Sequence, residues 1–430
     1  MTERLYYADS FLTDFDAVVT EIQELSRSDR QSLWRVALDR SAFYPASGGQ
    51  PHDTGRLIAT ARSGAELAAE IVDVEEDEQG EVWHHTAKPL GPGTAVHGMI
   101  DADRRLDHVQ QHSGQHLLSA VLLQICGAAT VSFHLGETLS TIDLATESLS
   151  DSILQQAAEL ANRIIAEDRP VTVSTVPRVQ AEAWLASGEL RKLPPRAGDL
   201  RIVQIGGTAD GSAFDRNACG GTHVRSTGQI GGLQLRGTEK VRQGWRLEFV
   251  CGLRAMRAAR NDFDTLTGAA RMLAIGLMEV PEAIERYQAE TRQAGKQIEA
   301  QTLQLMNYRA GDLLRQAPIE NGLRLIHLQL TPADAASAAQ AKLLASRLTV
   351  QGEKTTAIFS WQSAEEKEPA TLIFARSRDL EFDCGVELRQ TLSHYNGRGG
   401  GSKEMAQGSI PRENLAAAMN ALAAAARGSD

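Results

Sequence analysis

The sequence predicts a protein of the α+β class with several domains. Its 430 residues are too many for one core, since domains hold roughly 100 to 200 residues each. Short apolar runs separated by turn signals fill the first 95 residues, a pattern typical of a small, mostly β unit. From about residue 318, strand-like runs alternate with alanine-rich segments, which indicates a compact α/β unit.

The middle of the chain combines helical and strand patterns. Asp103 is the predicted N-cap of a first helix, and Gly127 is its predicted end. A second helix is predicted near 151–167, and residues 201–250 again alternate as strands. The long polar region that follows has heptad-like spacing interrupted by Gly295, which favours a helical hairpin or arm over a stable coiled coil.

Composition and charge bound the cellular setting. The formal net charge of −11 argues against a broad, non-specific grip on nucleic acid, but it leaves room for a local basic face. The N-terminal residues carry charges and lack the order of a signal peptide. The longest mostly apolar stretch is shorter than the roughly 20 residues that span a bilayer. We therefore expect a cytoplasmic protein with no membrane partner, and the scattered cysteines predict no disulfide framework.

Two short motifs carry potential metal ligands. In HSGQHLL, His112 and His116 are four residues apart, so on a helix they lie about 40° apart on one face. In CGGTH, two glycines relax the backbone between Cys219 and His223. Zinc binds imidazole nitrogen and thiolate sulfur, and the pairs together predict one metal site. Spacing alone does not exclude His108 from the helical stripe, and Cys219 could instead be a small buried apolar residue.

Several segments of the chain also carry a family resemblance. HSGQHLLSA, CGGTH, the loop FYPASGGQPHDTG and the segment EKVRQGWRLEF resemble, in order and separation, the editing domain of alanyl-tRNA synthetase and of the free-standing alanyl-tRNA editing proteins. NGRGGGSKEMAQG, at 396–408, is similar to the glycine-rich signature of the DHH-associated C-terminal domain. The Asp-His-His triplet of phosphoesterases is absent, and its nearest match is Asp107-His108-Val109.

The resemblance implies a division of the chain into four parts. It implies a translation-factor-like β-barrel at 1–95 and a zinc-binding editing domain at 96–252. A helical linker or arm would occupy 253–317, and the DHH-associated domain 318–430 would contact tRNA and form a homodimer. Because the editing motifs begin almost at residue 1, we expect the chain to correct tRNA in trans and not to charge it.

The resemblance also implies roles for individual residues. His112, His116, Cys219 and His223 would bind Zn²⁺, which selects them over His108. The misacylated adenosine would lie near Gly48, Gly49, Gln50 and Thr222, although the paired glycines could equally form a plain hairpin. His134 is a further candidate for the pocket, with a structural histidine as the alternative. The tRNA backbone would contact Arg398, Gly399, Gly400, Gly401 and Lys403, where the alternative is a flexible loop with two solvated charges.

The expected reaction is hydrolysis of a mischarged aminoacyl-tRNA. Zinc lowers the pKa of bound water to about 7 and polarises a carbonyl, as ester hydrolysis requires. Four protein ligands would fill a tetrahedral ion, so the ion expands to five ligands, one ligand leaves to act as a base, or zinc only positions the substrate. Serine adds one hydroxyl to alanine, which an apolar synthetic pocket rejects by only about a hundredfold. Seryl-tRNA for alanine is therefore the expected main substrate, and glycyl-tRNA a secondary one.

Two other functions fit parts of the sequence. A non-catalytic tRNA-binding factor with a structural zinc is consistent with four protein ligands. A phosphodiesterase is favoured only by the C-terminal glycine signature, and the missing Asp-His-His triplet opposes it.

Overall fold

The computed structural model describes residues 1–27, 32–195, 198–206, 213–365 and 367–428. The chain forms two compact units, Met1–Gly268 and Ala269–Asp430. The four-part division expected from the family resemblance is finer than this and stays a prediction. No helix within the described ranges combines the length and the apolar character that crossing a bilayer requires.

The N-terminal part of the first unit is a closed six-stranded barrel. Its strands follow the order β2-β3-β7-β6-β5-β8, and every pair in the barrel is antiparallel. The short strands β1 and β4 pair in parallel beside it. The bounds of these strands are β1 Glu3–Arg4, β2 Asp14–Arg27, β3 Ser32–Leu38, β4 Arg40–Ser41, β5 Gly55–Thr60, β6 Glu66–Glu76, β7 Val82–Thr86 and β8 Ala95–Ile100.

Helix α1 (Ala102–Cys126) follows the barrel and is buried along most of its length. The Asp101 side chain caps its first turn by accepting from the Arg104 backbone N–H, so the helix begins two residues earlier than predicted. Gly127 ends it as predicted, with a left-handed φ of 68°. Leu117, Leu118 and other apolar side chains of α1 enter the core, while its buried polar side chains need partners from other segments.

Two antiparallel sheets surround α1. The bounds of their strands and of the helices between them are β9 Ala129–Leu135, β10 Ser140–Ala145, α2 Asp151–Ala166, β11 Val171–Val176, α3 Arg178–Ala186, β12 Leu200–Gly206, β13 Ala213–Ala218, β14 Leu233–Val241 and β15 Gly244–Cys251. One sheet has the order β14-β15-β10-β9 and the other β11-β12-β13. The polar helical region that follows consists of α4 (Gly252–Leu273) and α5 (Val280–Gln316), and Pro281 lies in the first turn of α5, where a missing N–H is harmless.

The second unit ends in an α/β layer with a mixed sheet of order β16-β17-β18-β20-β19. Its elements are β16 Arg324–Leu330, α6 Ala338–Gln351, β17 Thr355–Trp361, β18 Ala370–Arg376, α7 Cys384–His394, β19 Arg398–Gly401, β20 Met405–Ile410 and α8 Leu415–Arg427. Strands β16 and β17 are parallel and joined through α6. An N-terminal barrel, an α+β centre, helices and a C-terminal α/β layer confirm the predicted fold class.

Candidate metal centre and substrate pocket

Helix α1 and the turn after β13 bring together the four side chains that were predicted as metal ligands: His112, His116, Cys219 and His223. Their potential ligand atoms all lie within 4.8 Å of one another. Cys219 Sγ lies 3.4 Å from His112 Nε2 and 3.3 Å from His223 Nε2. Among the residues that the structure describes, no other group of three or more His, Cys, Asp or Glu side chains is arranged in this way.

The geometry of this cluster fits a tetrahedral ion. Bonds of about 2.1 Å to nitrogen and about 2.3 Å to sulfur would separate the two ligand atoms by roughly 3.6 Å. The observed sulfur–nitrogen distances of 3.3 and 3.4 Å are close to that value. The cluster could therefore hold a metal ion.

Two of the imidazole rings are oriented by hydrogen bonds at Nδ1, the ring nitrogen that does not face the cluster. Gln50 Oε1 accepts from the Thr222 backbone N–H and lies 2.8 Å from His112 Nδ1, so His112 donates its Nδ1–H to that oxygen. Ser113 Oγ lies 3.3 Å from His223 Nδ1. These contacts leave each Nε2 free to face the cluster, because a hydrogen bond at Nδ1 fixes the orientation of the ring, as is usual for metal-binding histidines. Ser113 was not predicted from the sequence, although it lies inside the HSGQH motif.

The paired glycines form a hairpin turn that places the Gln50 side chain next to His112. Ser47 and Gln50 exchange backbone hydrogen bonds of 3.1 and 3.0 Å around the turn. Gly48 and Gly49 have φ values of 56° and 84°, which glycine adopts without strain. The paired glycines thus form the hairpin that was the alternative interpretation, and their proximity to the misacylated adenosine stays a prediction. Gln50 and Thr222 lie in the network behind His112, and their direct contact with a substrate stays a prediction.

A buried ion pair fixes this loop to α1. Asp53 is fully buried, and Arg105 is 1% exposed. Arg105 Nε lies 3.1 Å from Asp53 Oδ2, and its Nη1 and Nη2 donate to the backbone carbonyls of Ser10 and Ala42. Asp53 Oδ2 also accepts from the Tyr44 backbone N–H at 2.7 Å. The pair positions the loop that carries Gln50, and neither residue was singled out from the sequence.

The CGGTH turn is held by a buried arginine and by close packing. Arg201 Nη1 donates to the carbonyls of Cys219 and Gly221, both at 2.9 Å. The Arg201 guanidinium carbon lies 5.4 Å from the centre of the Tyr7 ring, a favourable cation–π position. A Cβ on Gly221 would lie 2.1 Å from His112 Cε1, so only glycine fits there. Gly220 has no such neighbour, since its nearest contact would be Tyr7 Oη at 3.5 Å.

Burial sets the protonation states of the cluster. Burial, together with nearby positive charge, lowers the pKa of His112 to about 3. The same causes lower the pKa values of His116 and His223 well below 6.5. Burial raises the pKa of the Cys219 thiol, although the Gly221 N–H and the Arg201 charge oppose this shift. The imidazoles are therefore neutral and ready to bind a metal, whereas the thiol must release a proton when it binds one.

A pocket of about 430 Å³ opens onto the cluster. His116 and Cys219 lie in its lining together with Gly48 and Phe133. The described lining residues include two cationic side chains, Arg191 and Lys192, but no carboxylate. A pocket of this size, with ligand atoms at its wall, can accept a small molecule of nucleoside size.

Other predicted residues lie apart from the cluster. His134 is exposed on β9, in a neighbouring cleft of about 560 Å³ that His108 also lines. His108 is outside the metal cluster, and burial lowers its pKa to about 4. Its Nδ1 lies 3.9 Å from Asp53 Oδ1.

The glycine-rich residues of the second unit form a strand, which excludes the flexible loop that was the alternative interpretation of Arg398–Gly401. Arg398, Gly399, Gly400 and Gly401 make up β19 at the edge of the sheet, and Lys403 follows it. Side chains at Gly399 and Gly401 would lie within 2.5 Å of the β20 backbone, so glycine allows this close pairing. Arg398 and Lys403 are exposed, and their contact with tRNA stays a prediction.

Known proteins share both parts of this architecture. Residues 200–248, which include the CGGTH turn, match the second additional domain of threonyl and alanyl tRNA synthetases. Residues 323–428 match the DHHA1 domain. The alanine–tRNA ligase of Natronomonas pharaonis is 35% identical over 72% of this chain and 32% of its own length. The chain belongs to the alanyl-tRNA synthetase-related family. The resemblance predicted from the motifs is thereby confirmed.

Further relatives of this alanyl-tRNA synthetase-related chain are also alanine–tRNA ligases. That of Pyrococcus abyssi is 33% identical over 69% of this chain and 31% of its own length. That of Methanothrix thermoacetophila is 28% identical over 99% of this chain and 44% of its own length. The chain thus spans about a third of the length of the first relatives. A solved C-Ala domain of Aquifex aeolicus alanyl-tRNA synthetase is 15% identical over 26% of this chain and 98% of its own length, with a TM-score of 0.23.

Proposed function

We propose that the chain is a zinc-dependent trans-editing hydrolase that deacylates mischarged alanine tRNA, with seryl-tRNA as its main substrate and glycyl-tRNA as a secondary one. The observation that carries this proposal is the cluster of three imidazoles and one thiol within 4.8 Å at the wall of a pocket. Bound zinc would supply Lewis acidity toward the ester carbonyl and lower the pKa of water. His112, His116, Cys219 and His223 would hold the ion.

The protein groups around the cluster suit this reaction. Gln50 and Ser113 hold two ligand rings, so the cluster does not have to rearrange when the substrate enters. The pocket lining includes Thr130, Ser132 and Asn217. Their own hydrogens are donated to Ser119, Asp143 and Asp215, so their oxygens would act as acceptors for a serine hydroxyl. A site with such partners binds the serine hydroxyl through hydrogen bonds that alanine cannot form. It therefore favours seryl-tRNA over alanyl-tRNA, which is the selectivity that editing requires.

A deacylation assay on the purified chain tests the proposal directly. We expect bound zinc by elemental analysis and rapid hydrolysis of seryl-tRNA charged on the alanine tRNA, with correctly charged alanyl-tRNA left intact. Removing the metal with a chelator should abolish hydrolysis, and adding zinc should restore it. If the zinc-loaded protein leaves seryl-tRNA intact, the proposal that the chain is a deacylase is wrong.

The Cys219→Ala variant separates the enzyme from a tRNA-binding factor with a structural zinc. Under our proposal the variant keeps its fold, measured by circular dichroism, and loses deacylation. A variant that unfolds, from a parent without activity, would favour the structural role. A phosphodiesterase is the third candidate function, but the described part of the chain contains no second cluster of potential metal ligands. Hydrolysis of short oligonucleotides in the presence of manganese would support this function.

We further propose that the C-terminal unit contacts tRNA through Arg398 and Lys403, and that it supports a homodimer. Replacing both residues with alanine should weaken tRNA binding and reduce the slope of log affinity against log salt by about two, since each lost phosphate contact removes about 0.9. The exposed Lys342 on α6 provides a control, Lys342→Ala, which should leave the slope unchanged. An unchanged slope in the double variant would place the contact elsewhere.

A further inference from the structure

Two cations line the pocket beside the metal cluster. Arg191 and Lys192 share its lining with His116 and Cys219, and no carboxylate lies among the described lining residues. Both cations belong to the segment between α3 and β12, for which the sequence predicted no function. Of these two cationic side chains, only Arg191 is paired with a carboxylate of a described residue, so the wall keeps an excess of positive charge that favours an anionic group on the ligand.

The Arg191 side chain is held in place by an ion pair with Asp215 on β13. Its Nη2 donates to Asp215 Oδ1 on β13 at 2.5 Å, and Asp215 also accepts from the Asn217 amide. Asp215 is 9% exposed, so the arginine is tied to the sheet and not to a mobile surface group. Arg191 Nη1 has no hydrogen-bond partner among the described residues, and neither has the exposed Lys192 Nζ. Both donors remain available for a ligand.

We propose that Arg191 and Lys192 form a phosphate-binding site for the 5′-phosphate of the terminal nucleotide of the acylated RNA. This inference rests on the proposed function, because it assumes that an aminoacyl ester reaches the metal cluster. The ester is carried by a ribose hydroxyl, and the phosphate that joins this nucleoside to the rest of the RNA is attached to the same ribose. An ester at His116 and Cys219 therefore brings that phosphate into the same pocket. Arginine and lysine together recognise a phosphate through charge-assisted hydrogen bonds.

Binding of AMP and of adenosine to the zinc-loaded protein tests the site without relying on catalysis. The two probes differ only in the 5′-phosphate, so the ratio of their affinities, measured by calorimetry, reports the contacts of that group. We expect the wild type to favour AMP and the Lys192→Gln variant to lose about tenfold of that preference, which corresponds to one charged contact. The Arg191→Gln variant should lose a similar factor, and Arg191→Lys, which keeps a charge next to Asp215, should lose less.

Matched controls separate this site from a general charge effect. Arg62→Gln removes an exposed cation from a turn of the barrel and should leave the AMP-to-adenosine ratio unchanged. Zinc content should stay at the wild-type level in every variant. An unchanged ratio in Lys192→Gln and in both Arg191 variants would overturn the proposal. So would inorganic phosphate binding as tightly as AMP, because the pair would then be a free-phosphate site.

The same variants distinguish failure of this inference from failure of the proposed function. Seryl-adenosine with and without a 5′-phosphate serves as a substrate pair, and the ratio of their kcat/KM values should fall about tenfold in Lys192→Gln. If the wild type hydrolyses neither compound nor seryl-tRNA, the proposed function fails, while the AMP measurement still decides on the phosphate site. If hydrolysis occurs with an unchanged ratio, only the phosphate site fails.

Discussion

Under the proposed function, the Gly221→Ala variant should bind zinc about 10- to 100-fold more weakly and lose deacylation activity while the rest of the molecule stays folded. The added Cβ would lie 2.1 Å from His112 Cε1 and 2.4 Å from Nδ1, far inside van der Waals contact. The His112 ring cannot move away easily, because the rings of His223 and Phe133 lie 4.5 and 5.5 Å from it, centre to centre. Moving it would also break its hydrogen bond to Gln50. Disturbing such ligand orientation typically lowers metal affinity by about 10- to 100-fold.

The neighbouring glycine provides the matched control. A Cβ on Gly220 would meet only the Tyr7 side chain, at 3.5 Å or more. Gly220→Ala should therefore keep its zinc, measured by competition with a chelator, and most of its activity on seryl-tRNA. Equal zinc affinities in the two variants would contradict the packing argument for Gly221. Loss of activity in Gly221→Ala with full zinc occupancy would indicate that the turn contacts the substrate itself.

The clustering of the four candidate ligand residues could be predicted because the geometry is local within each pair. The helix places His112 and His116 on one face, and the glycines of CGGTH bring Cys219 and His223 to one side of a turn. The prediction that the two pairs meet rested on two grounds: each pair contains two residue types that bind zinc, and the motifs resemble those of a known family. Excluding His108 required the resemblance, since its spacing on the helix is as good as that of its neighbours.

The supporting residues were not predictable, because their contacts join distant parts of the chain. Ser113 contacts His223 across 110 positions, and Arg105 contacts Asp53 across 52 positions. A sequence pattern contains no signal for such pairs unless a motif has already identified each of the two residues. Arg191 and Lys192 lie in a loop without regular periodicity, and only the folded chain brings them to the pocket.

The fold was predictable where periodicity is strong and less so where glycine dominates. The N-terminal β unit, α1 and the C-terminal α/β layer follow from alternating and helical patterns, whereas closure of the N-terminal strands into a barrel was implied by the family resemblance. No strand was predicted for residues 398–401, and glycine has low β-propensity. They form β19 because the β20 backbone approaches so closely that side chains larger than hydrogen do not fit at Gly399 and Gly401.

The Arg105→Ala variant should show the largest loss of stability of any single substitution considered. It would leave the fully buried Asp53 carboxylate without its cation and would remove two bonds to the Ser10 and Ala42 carbonyls. Breaking a buried ion pair by removing one partner typically costs about 3 to 5 kcal/mol in the free energy of unfolding. Chemical denaturation of the zinc-loaded protein measures this change. Because Asp53 anchors the loop of Gln50, zinc affinity should fall as well.

The adjacent arginine and a double variant test whether the unpaired charge is the cause. Within the described ranges, the Arg104 side chain donates one hydrogen bond, from Nε to the His52 carbonyl, so Arg104→Ala should cost less than about 1 kcal/mol. In Arg105→Met with Asp53→Leu, both buried charges are gone, and such replacements often recover much of the lost stability. If the double variant is as unstable as Arg105→Ala, lost packing and carbonyl bonds are the cause. A stable Arg105→Ala variant would mean that water reaches Asp53, which would contradict the burial of the loop that carries Gln50.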